Sequence, residues 1–290
     1  MARKKPSIAH GLVLIDKPAG LTSHDVVYKL RKHFGEKRIG HAGTLDPDAT
    51  GLLVIGVGNA TRLFRYMADM DKTYSCEIVF GSETDTLDDS GVVTATHQMS
   101  AINIEQARAV IAEKFLGDIM QVPPMVSALR VDGVRLHAMA REGIEIERPA
   151  RPITVHSFEV DPTDDPMVLR ATIRSGSGTY VRSLGADLGT ALGGGAHIRT
   201  LRRSAAGPFS INEACTLEEP VLLPIHEAVR HLPKQVLDAS EVDDCLYGRT
   251  RIAWDGDGPW AVYSEADELV GVFDLWRERI AKPTVVFNAR

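Results

Sequence analysis

The residues with the clearest chemical potential lie in one loop, His41-Ala42-Gly43-Thr44-Leu45-Asp46-Pro47-Asp48-Ala49-Thr50-Gly51. Gly40, Gly43 and Gly51 permit backbone conformations closed to other residues. Pro47 fixes its own φ and keeps Asp46 out of the helical region. A loop this stiff presents one carboxylate, Asp46, at the edge of the apolar run 52–57, which reads as a buried strand. A presented carboxylate can be the nucleophile of covalent catalysis. Burial would raise its pKa, so a fixed cation is needed nearby to keep it ionised. The same spacing also fits a plain turn in which Asp46 bonds its own backbone.

The elements around the loop read as a mixed α/β chain without a regular repeat. A strand at 11–16 is followed by a helix capped by Thr22 or Ser23 and stopped by Gly35, with Val26, Val27, Leu30 and Phe34 on one face. A short helix is expected near 60–68 and an alternating strand at 74–80. The acidic stretch 82–91 lacks the ligand spacing of an EF-hand and reads as a solvated loop. A helix near 103–116 opens on Asn103 and ends at Gly117; strands follow at 153–160 and 168–174, then a helix from about Tyr180 to Leu192. Beyond about residue 230 the texture changes to short strands at 260–263, 269–273 and 284–287, a small β domain. The expected division is therefore 1–229 and 230–290.

The chain has 290 residues, 44% of them hydrophobic, enough for a sizeable core. It has no apolar run long enough to span a bilayer and no signal-peptide core, so no membrane association is expected. Cys76, Cys215 and Cys245 are odd in number and far apart, as free thiols of a reducing cytoplasm would be. The net charge of −6 disguises an asymmetry. Residues 1–65 carry 11 Lys and Arg against 5 Asp and Glu, whereas residues 66–229 carry 14 against 23. A basic first third beside the Asp46 loop can make a phosphate footprint. Arg62, Arg199, Arg202 and Arg203 are further phosphate-contact candidates. The stretch Ser175-Gly176-Ser177-Gly178 lacks the P-loop lysine and most of the dinucleotide fingerprint, which disfavours nucleotide binding.

Gly-Thr-Leu-Asp-Pro followed by Ala-Thr-Gly at 43–51 resembles the catalytic motif of the TruB family of tRNA pseudouridine synthases. Three more stretches match in the same order: Lys72-Thr73-Tyr74, Ser177-Gly178-Thr179-Tyr180-Val181-Arg182-Ser183-Leu184, and Gly195-Ala196-His197 through Leu201-Arg202-Arg203. The resemblance spans roughly residues 10 to 225. It implies an α+β pseudouridine synthase fold, with a largely antiparallel sheet flanked by helices and the cleft across its middle. It also implies a C-terminal RNA-binding module of the PUA type. Uridine in the TΨC loop of a tRNA T-arm is the implied substrate, and position 55 the target.

Carried over residue by residue, the resemblance makes Asp46 the nucleophile and sets Arg182 against it. Tyr74 would stack on the base and serve proton movement at C5. His41 would pack against the flipped-out region, Leu201 would floor the base and Tyr180 would wall it. The segment 121–130 departs from the family pattern: Val126 stands where an aromatic is common and Arg130 where Lys is common. The isomerisation involves no redox change and no net hydrolysis, so no cofactor and no metal are expected. Attack at C6 of the base and at C1′ of the sugar both remain open. A cytoplasmic monomer without an obligate protein partner completes the expectation. Two other readings use the same residues. One is a metal-dependent phosphohydrolase built on Asp46, Asp48, Asp85, Asp88 and Asp89; the other is a non-catalytic RNA-binding module, which leaves Asp46, Arg182 and Tyr74 unexplained.

Overall fold

The computed structural model describes residues 9–127, 130–131, 134–135 and 146–287. In chain order the elements begin β1 (Gly11–Lys17), α1 (Ser23–Phe34), β2 (Ile39–Ala42), β3 (Thr50–Val57), a 3-10 turn (Gly58–Leu63), α2 (Arg65–Ala68) and β4 (Lys72–Phe80). There follow β5 (Ser82–Thr84), β6 (Val93–Thr96), α3 (Ile104–Lys114), β7 (Gly117–Gln121), β8 (Arg130–Val131) and β9 (Val134–Arg135). Next come β10 (Arg151–Pro162), β11 (Val168–Ser175), α4 (Val181–Ala191), β12 (Ala196–Ala206) and β13 (Phe209–Ser210). The last third holds β14 (Lys234–Leu237), α5 (Ala239–Leu246), β15 (Arg251–Ile252), β16 (Trp260–Ser264), β17 (Leu269–Arg277) and β18 (Ile280–Val286).

The main sheet runs β1-β3-β12-β4-β11-β10-β7, with β2 added to β3 and β13 to β12. Its pairs are antiparallel except β12 with β3, where Arg202 and Arg203 run parallel to Thr50 and Gly51. The α+β fold with a largely antiparallel sheet is as expected. The strand at 52–57 is apolar throughout because both its faces are covered. Leu53 and Ile55 pack with Val26, Val27 and Leu30 of α1. Leu52 and Val54 face the other way, into a cluster with Leu63, Met67, Ala261, Val272 and Val285. Across the sheet, Ile78, Phe80, Ala171 and Ile198 pack with Ala107 and Ile111 of α3 and Leu184 and Leu188 of α4. Tyr74 and Leu201 touch both the α1 core and the α3–α4 core, so they stand where the two meet.

Local signals account for the helices. Thr22 caps α1 in a capping box with Asp25, and Gly35 ends it in the left-handed region at φ 62°. Asn103 caps α3 by accepting from the Glu105 and Gln106 backbone N–H groups.

Two expectations need correction, and one strand was not anticipated. The helix near 60–68 is a 3-10 turn followed by the single turn of α2. The strand β12, with His197, Arg199, Arg202 and Arg203, has no counterpart among the expected elements and lies inside the sheet between β3 and β4. The stretch 82–91 is not merely a solvated loop. It leaves β5, is tied to β12 by backbone bonds from Asp89 to Ile198 and from Ile198 to Leu87, and returns through β6. The Thr84 and Thr86 hydroxyls donate to the Asp88 carbonyl, so its polar side chains fold inward. Ala128 and Leu129 lie outside the described residues, and only the backbone of Arg130 is described.

The C-terminal sheet, β14-β16-β17-β18-β15, has five strands and carries α5 against it. It is not set apart: Ala261, Val272 and Val285 share a core with Leu12, Leu52 and Leu63.

Candidate active site

The Asp46 loop joins β2 to β3 and is held by side chains from three directions. Ser23, at the start of α1, brackets Leu45: its Oγ accepts from the Leu45 N–H at 2.9 Å and donates to the Leu45 carbonyl at 3.1 Å. Lys17, fully buried at the end of β1, donates to the carbonyls of Pro18, Leu21 and Pro47 at 2.7–2.9 Å. Arg203, 1% exposed on β12, donates to the carbonyls of Gly43, Thr44 and Leu52. Gly51 has φ +99°, and a Cβ there would lie 2.2 Å from the Arg203 carbonyl oxygen, so only glycine fits.

Arg182 sits in the first turn of α4 with its side chain 4% exposed. Its Nε lies 3.0 Å from Asp46 Oδ2 and 3.6 Å from Asp88 Oδ2. Nη1 donates to the Thr86 carbonyl at 2.6 Å and Nη2 to the Val126 carbonyl at 2.8 Å. One guanidinium thus ties the Asp46 loop, the 82–91 loop and the 121–127 segment together. Asp88 is held in place by the Thr86 hydroxyl and by the Ser90 N–H and hydroxyl on its Oδ1. Leu87 beside it has φ +63°, a left-handed conformation uncommon outside glycine.

A cleft of about 280 Å³ opens over the Asp46 carboxylate, at the small end of ligand pockets. Asp46, Lys72, Tyr74, Tyr180, Arg182, Leu201 and Arg203 line it together with the small-residue loop 176–179. Tyr180 is fixed by Gln121, which accepts from its N–H and donates to its carbonyl. Arg203 lies 6.0 Å from the Tyr74 ring centroid. The Asp46 side chain remains 41% exposed while walls surround it. Burial pushes its pKa above the usual carboxylate range; Arg182 pulls it back, Asp88 adds to the rise and Lys17 opposes it. The site therefore offers an oriented carboxylate, a permanent cation on it, and two aromatic rings in a restricted space. Such a site can carry out nucleophilic catalysis on a flat, ring-shaped substrate. Among the described residues no cluster of three or more His, Cys, Asp or Glu is placed to hold a metal.

Five expected site residues have other surroundings. Arg62 is not in the cleft: its Nη1 donates to the Val286 carbonyl and its guanidinium stacks on Phe287. Arg202 forms a two-pronged pair with Asp16 at 2.7 and 3.0 Å. Arg203 meets the cleft wall, but its donors are directed at loop carbonyls, a strut and not a phosphate contact. His41 stands behind the loop, its ring edge-on to His24; burial lowers its pKa to about 4, and the His24 and Arg203 charges add to this. Arg199 pairs with Glu77 at 2.7 Å.

Sequence reading did not assign Lys17 to the site, took Ser23 only as a possible helix cap, and named Asp88 only in the metal-dependent alternative. A lysine ending a strand that is apolar from Leu12 to Ile15 was the available signal for Lys17, since a buried ammonium must have acceptors.

Residues 31–181 match the profile of the TruB family pseudouridylate synthase N-terminal domain. Residues 182–239 match that of the tRNA pseudouridylate synthase B C-terminal domain. The tRNA pseudouridine synthase B of Arthrobacter sp. (strain FB24) is 40% identical, with 96% of each chain covered. That of Synechococcus sp. (strain CC9311) is 41% identical, covering 97% of this chain and 98% of the relative. In structure, the chain is similar to one in a Cbf5-Nop10-Gar1 complex, with a TM-score of 0.73, 25% identity, and 99% and 87% of the two chains covered. A chain in an H/ACA RNP bound to a substrate RNA containing 2′-deoxyuridine gives a TM-score of 0.73 at 24% identity, covering 97% and 86%. Fold and cleft thus define a pseudouridine synthase. The chain belongs to the TruB family of pseudouridylate synthases.

Proposed function

We propose that this chain converts uridine to pseudouridine at position 55 in the TΨC loop of tRNA, with Asp46 as nucleophile. The observation that carries the proposal is the Asp46–Arg182 pair at 3.0 Å in a nucleotide-sized cleft walled by Tyr74, Tyr180 and Leu201. Asp46 bonds to C6 of the base or C1′ of the ribose, the N1–C1′ bond breaks, and the base turns. A C5–C1′ bond then forms, Asp46 is released, C5 loses its proton and N1 gains one. Atoms and electrons balance without an added cofactor. Arg182 keeps Asp46 anionic before attack and aims it. Tyr74 stacks on the base, within reach of the C5 proton. Leu201 floors the base and Tyr180 bounds it; His41 supports the loop from behind. Residues 230–290 serve as a PUA-like RNA-binding unit. The chain acts in the cytoplasm as a monomer, needing no protein partner.

The relatives' shared name, tRNA pseudouridine synthase B, supports the tRNA substrate. Flipping a loop base out costs a few kcal/mol, which backbone contacts along the arm offset. The test is mass-shift mapping of pseudouridine in a T-arm stem-loop incubated with purified protein, with Asp46→Asn as control. Pseudouridine at the position equivalent to 55, absent with Asp46→Asn, is the expected result. Product at another position, or none, would overturn the assignment.

A further inference from the structure

The cations lining the cleft are not equivalent. Arg182 has its guanidinium nitrogens engaged by Asp46, Thr86 and Val126. Arg203 has its three nitrogens on the carbonyls of Leu52, Thr44 and Gly43. In both, every guanidinium nitrogen is already committed to a partner within the protein. Lys72 differs. It opens β4, two residues before Tyr74, so the two side chains share a face of the strand and line the same cleft. Lys72 is 8% exposed, yet its ammonium makes one hydrogen bond among the described residues, to the Ala68 carbonyl at 2.8 Å. An ammonium carries three donors. A buried cation with donors unused is costly to maintain, and such a cost is met at binding sites where a ligand completes the shell.

The surroundings sharpen the point. Burial first, then the Arg203 charge, lower the Lys72 pKa to about 8, and Asp69 and Asp71 act against this. Asp71 is already bound by Arg174 and His156, at 2.7 and 3.0 Å, so it is not free to turn to Lys72. Across β4 from Lys72 stands Ser175, and beyond it the loop 176–179, whose small residues form the cleft wall. An anion arriving along that wall meets little steric bulk and one under-coordinated ammonium.

We infer that Lys72 is a phosphate anchor, binding a backbone phosphodiester adjacent to the nucleotide that enters the cleft. The inference rests on the RNA substrate proposed above and adds a contact to it. Lys72 touches the substrate backbone, not the reacting atoms. Its role is to retain the RNA backbone beside the cleft, so its loss weakens binding and leaves the attack geometry to Asp46, Arg182 and Tyr74.

Single-turnover rates across a range of protein concentrations separate apparent affinity from the saturating rate. The substrates are T-arm stem-loops carrying a neutral methylphosphonate at one or the other phosphate flanking the target uridine. Lys72→Met is expected to weaken affinity about ten- to hundredfold, the range for a hydrogen bond to a charged group. Its saturating rate should stay within about threefold of wild type. In wild type, one of the two methylphosphonates should cost a similar factor. In Lys72→Met, that same methylphosphonate should cost nothing more, because the partner is already gone. Lys72→Arg should restore most of the affinity. Wild-type affinity should be flat below about pH 8 and decline above it, whereas Lys72→Arg stays flat. Lys72→Met should melt no lower than wild type, since it removes a buried charge that has little compensation.

Affinity unchanged by Lys72→Met, or methylphosphonate penalties that multiply with it, would overturn the anchor. A clear drop in melting temperature with Lys72→Met would recast Lys72 as a structural residue and overturn it too. Absence of pseudouridine with wild-type protein and an unmodified stem-loop would bring down the proposed function, and this assignment with it.

Discussion

Replacing Arg182 by lysine is the most informative single change, because it keeps the charge and removes the geometry. The arginine reaches four oxygens: Asp46 at 3.0 Å, Asp88 at 3.6 Å, and the Thr86 and Val126 carbonyls at 2.6 and 2.8 Å. A lysine ammonium placed on Asp46 cannot also span both carbonyls, which approach from different segments. Each carbonyl deprived of its donor costs about 1 kcal/mol at a half-buried position, so Arg182→Lys should destabilise the fold by about 2 kcal/mol. For a chain of this size that is a drop of about 4–8 °C in melting temperature. Turnover should fall further than stability would suggest. With the 82–91 and 121–127 segments no longer tied to it, Asp46 loses its fixed aim, and a misplacement near 1 Å costs ~100-fold in rate. Thermal unfolding and single-turnover pseudouridine formation at saturating stem-loop measure the two effects. Wild-type melting together with wild-type turnover would refute the argument, because it would show that charge alone is what the site draws from Arg182.

Asp46→Asn should abolish detectable pseudouridine while stem-loop affinity stays within about tenfold of wild type; loss of binding with an intact fold would make Asp46 a recognition residue instead. The single-turnover rate should rise with pH through a midpoint above the usual carboxylate range, because burial raises the Asp46 pKa and only its ionised form attacks; a midpoint at the usual value would contradict this. The same shift makes Asp46 hold its proton more tightly when folded than when unfolded, so its contribution to stability is lost as pH rises through the folded pKa, and Asp46→Asn should escape that loss in pH-dependent melts. Ser23→Ala should cost about 1–3 kcal/mol by stripping both Leu45 backbone groups of their partner, visible as a lower denaturant midpoint. Turnover of a short stem-loop should continue in EDTA, and a requirement for added metal would contradict the cofactor-free scheme.

The local elements were legible wherever one segment carries its own signal. The capping residues of α1 and α3, the stop at Gly35, and the alternation of β4 and β11 each depend on neighbours a few residues apart. β12 was not, because its basic residues obscure the strand pattern and its place inside the sheet comes from partners more than a hundred residues away. At the site, the family resemblance implied which side chains would meet, and Asp46, Tyr74, Tyr180, Arg182 and Leu201 do share one cleft. What holds them there was hidden. Ser23 reaches Leu45 across 22 positions, and Arg182 reaches Thr86 across 96, distances over which pairing leaves no periodicity to read. The arginines misjudged most were those whose charge suggested solvent and phosphate. Arg203 and Arg62 instead satisfy backbone carbonyls, a use that composition cannot distinguish.

The seam between the main sheet and the C-terminal sheet has a geometric consequence. Arg62 donates to Val286, Tyr66 and Arg65 both meet Asp274, and the apolar residues behind them form one continuous core. The two sheets cannot pivot about each other without opening that core to water. The interval between the tail and Asp46 is therefore set once, at folding, like the gap of a caliper locked at one reading. On the proposed reading of the tail as an RNA-binding unit, an arm held there would present to Asp46 only the nucleotide lying at that interval.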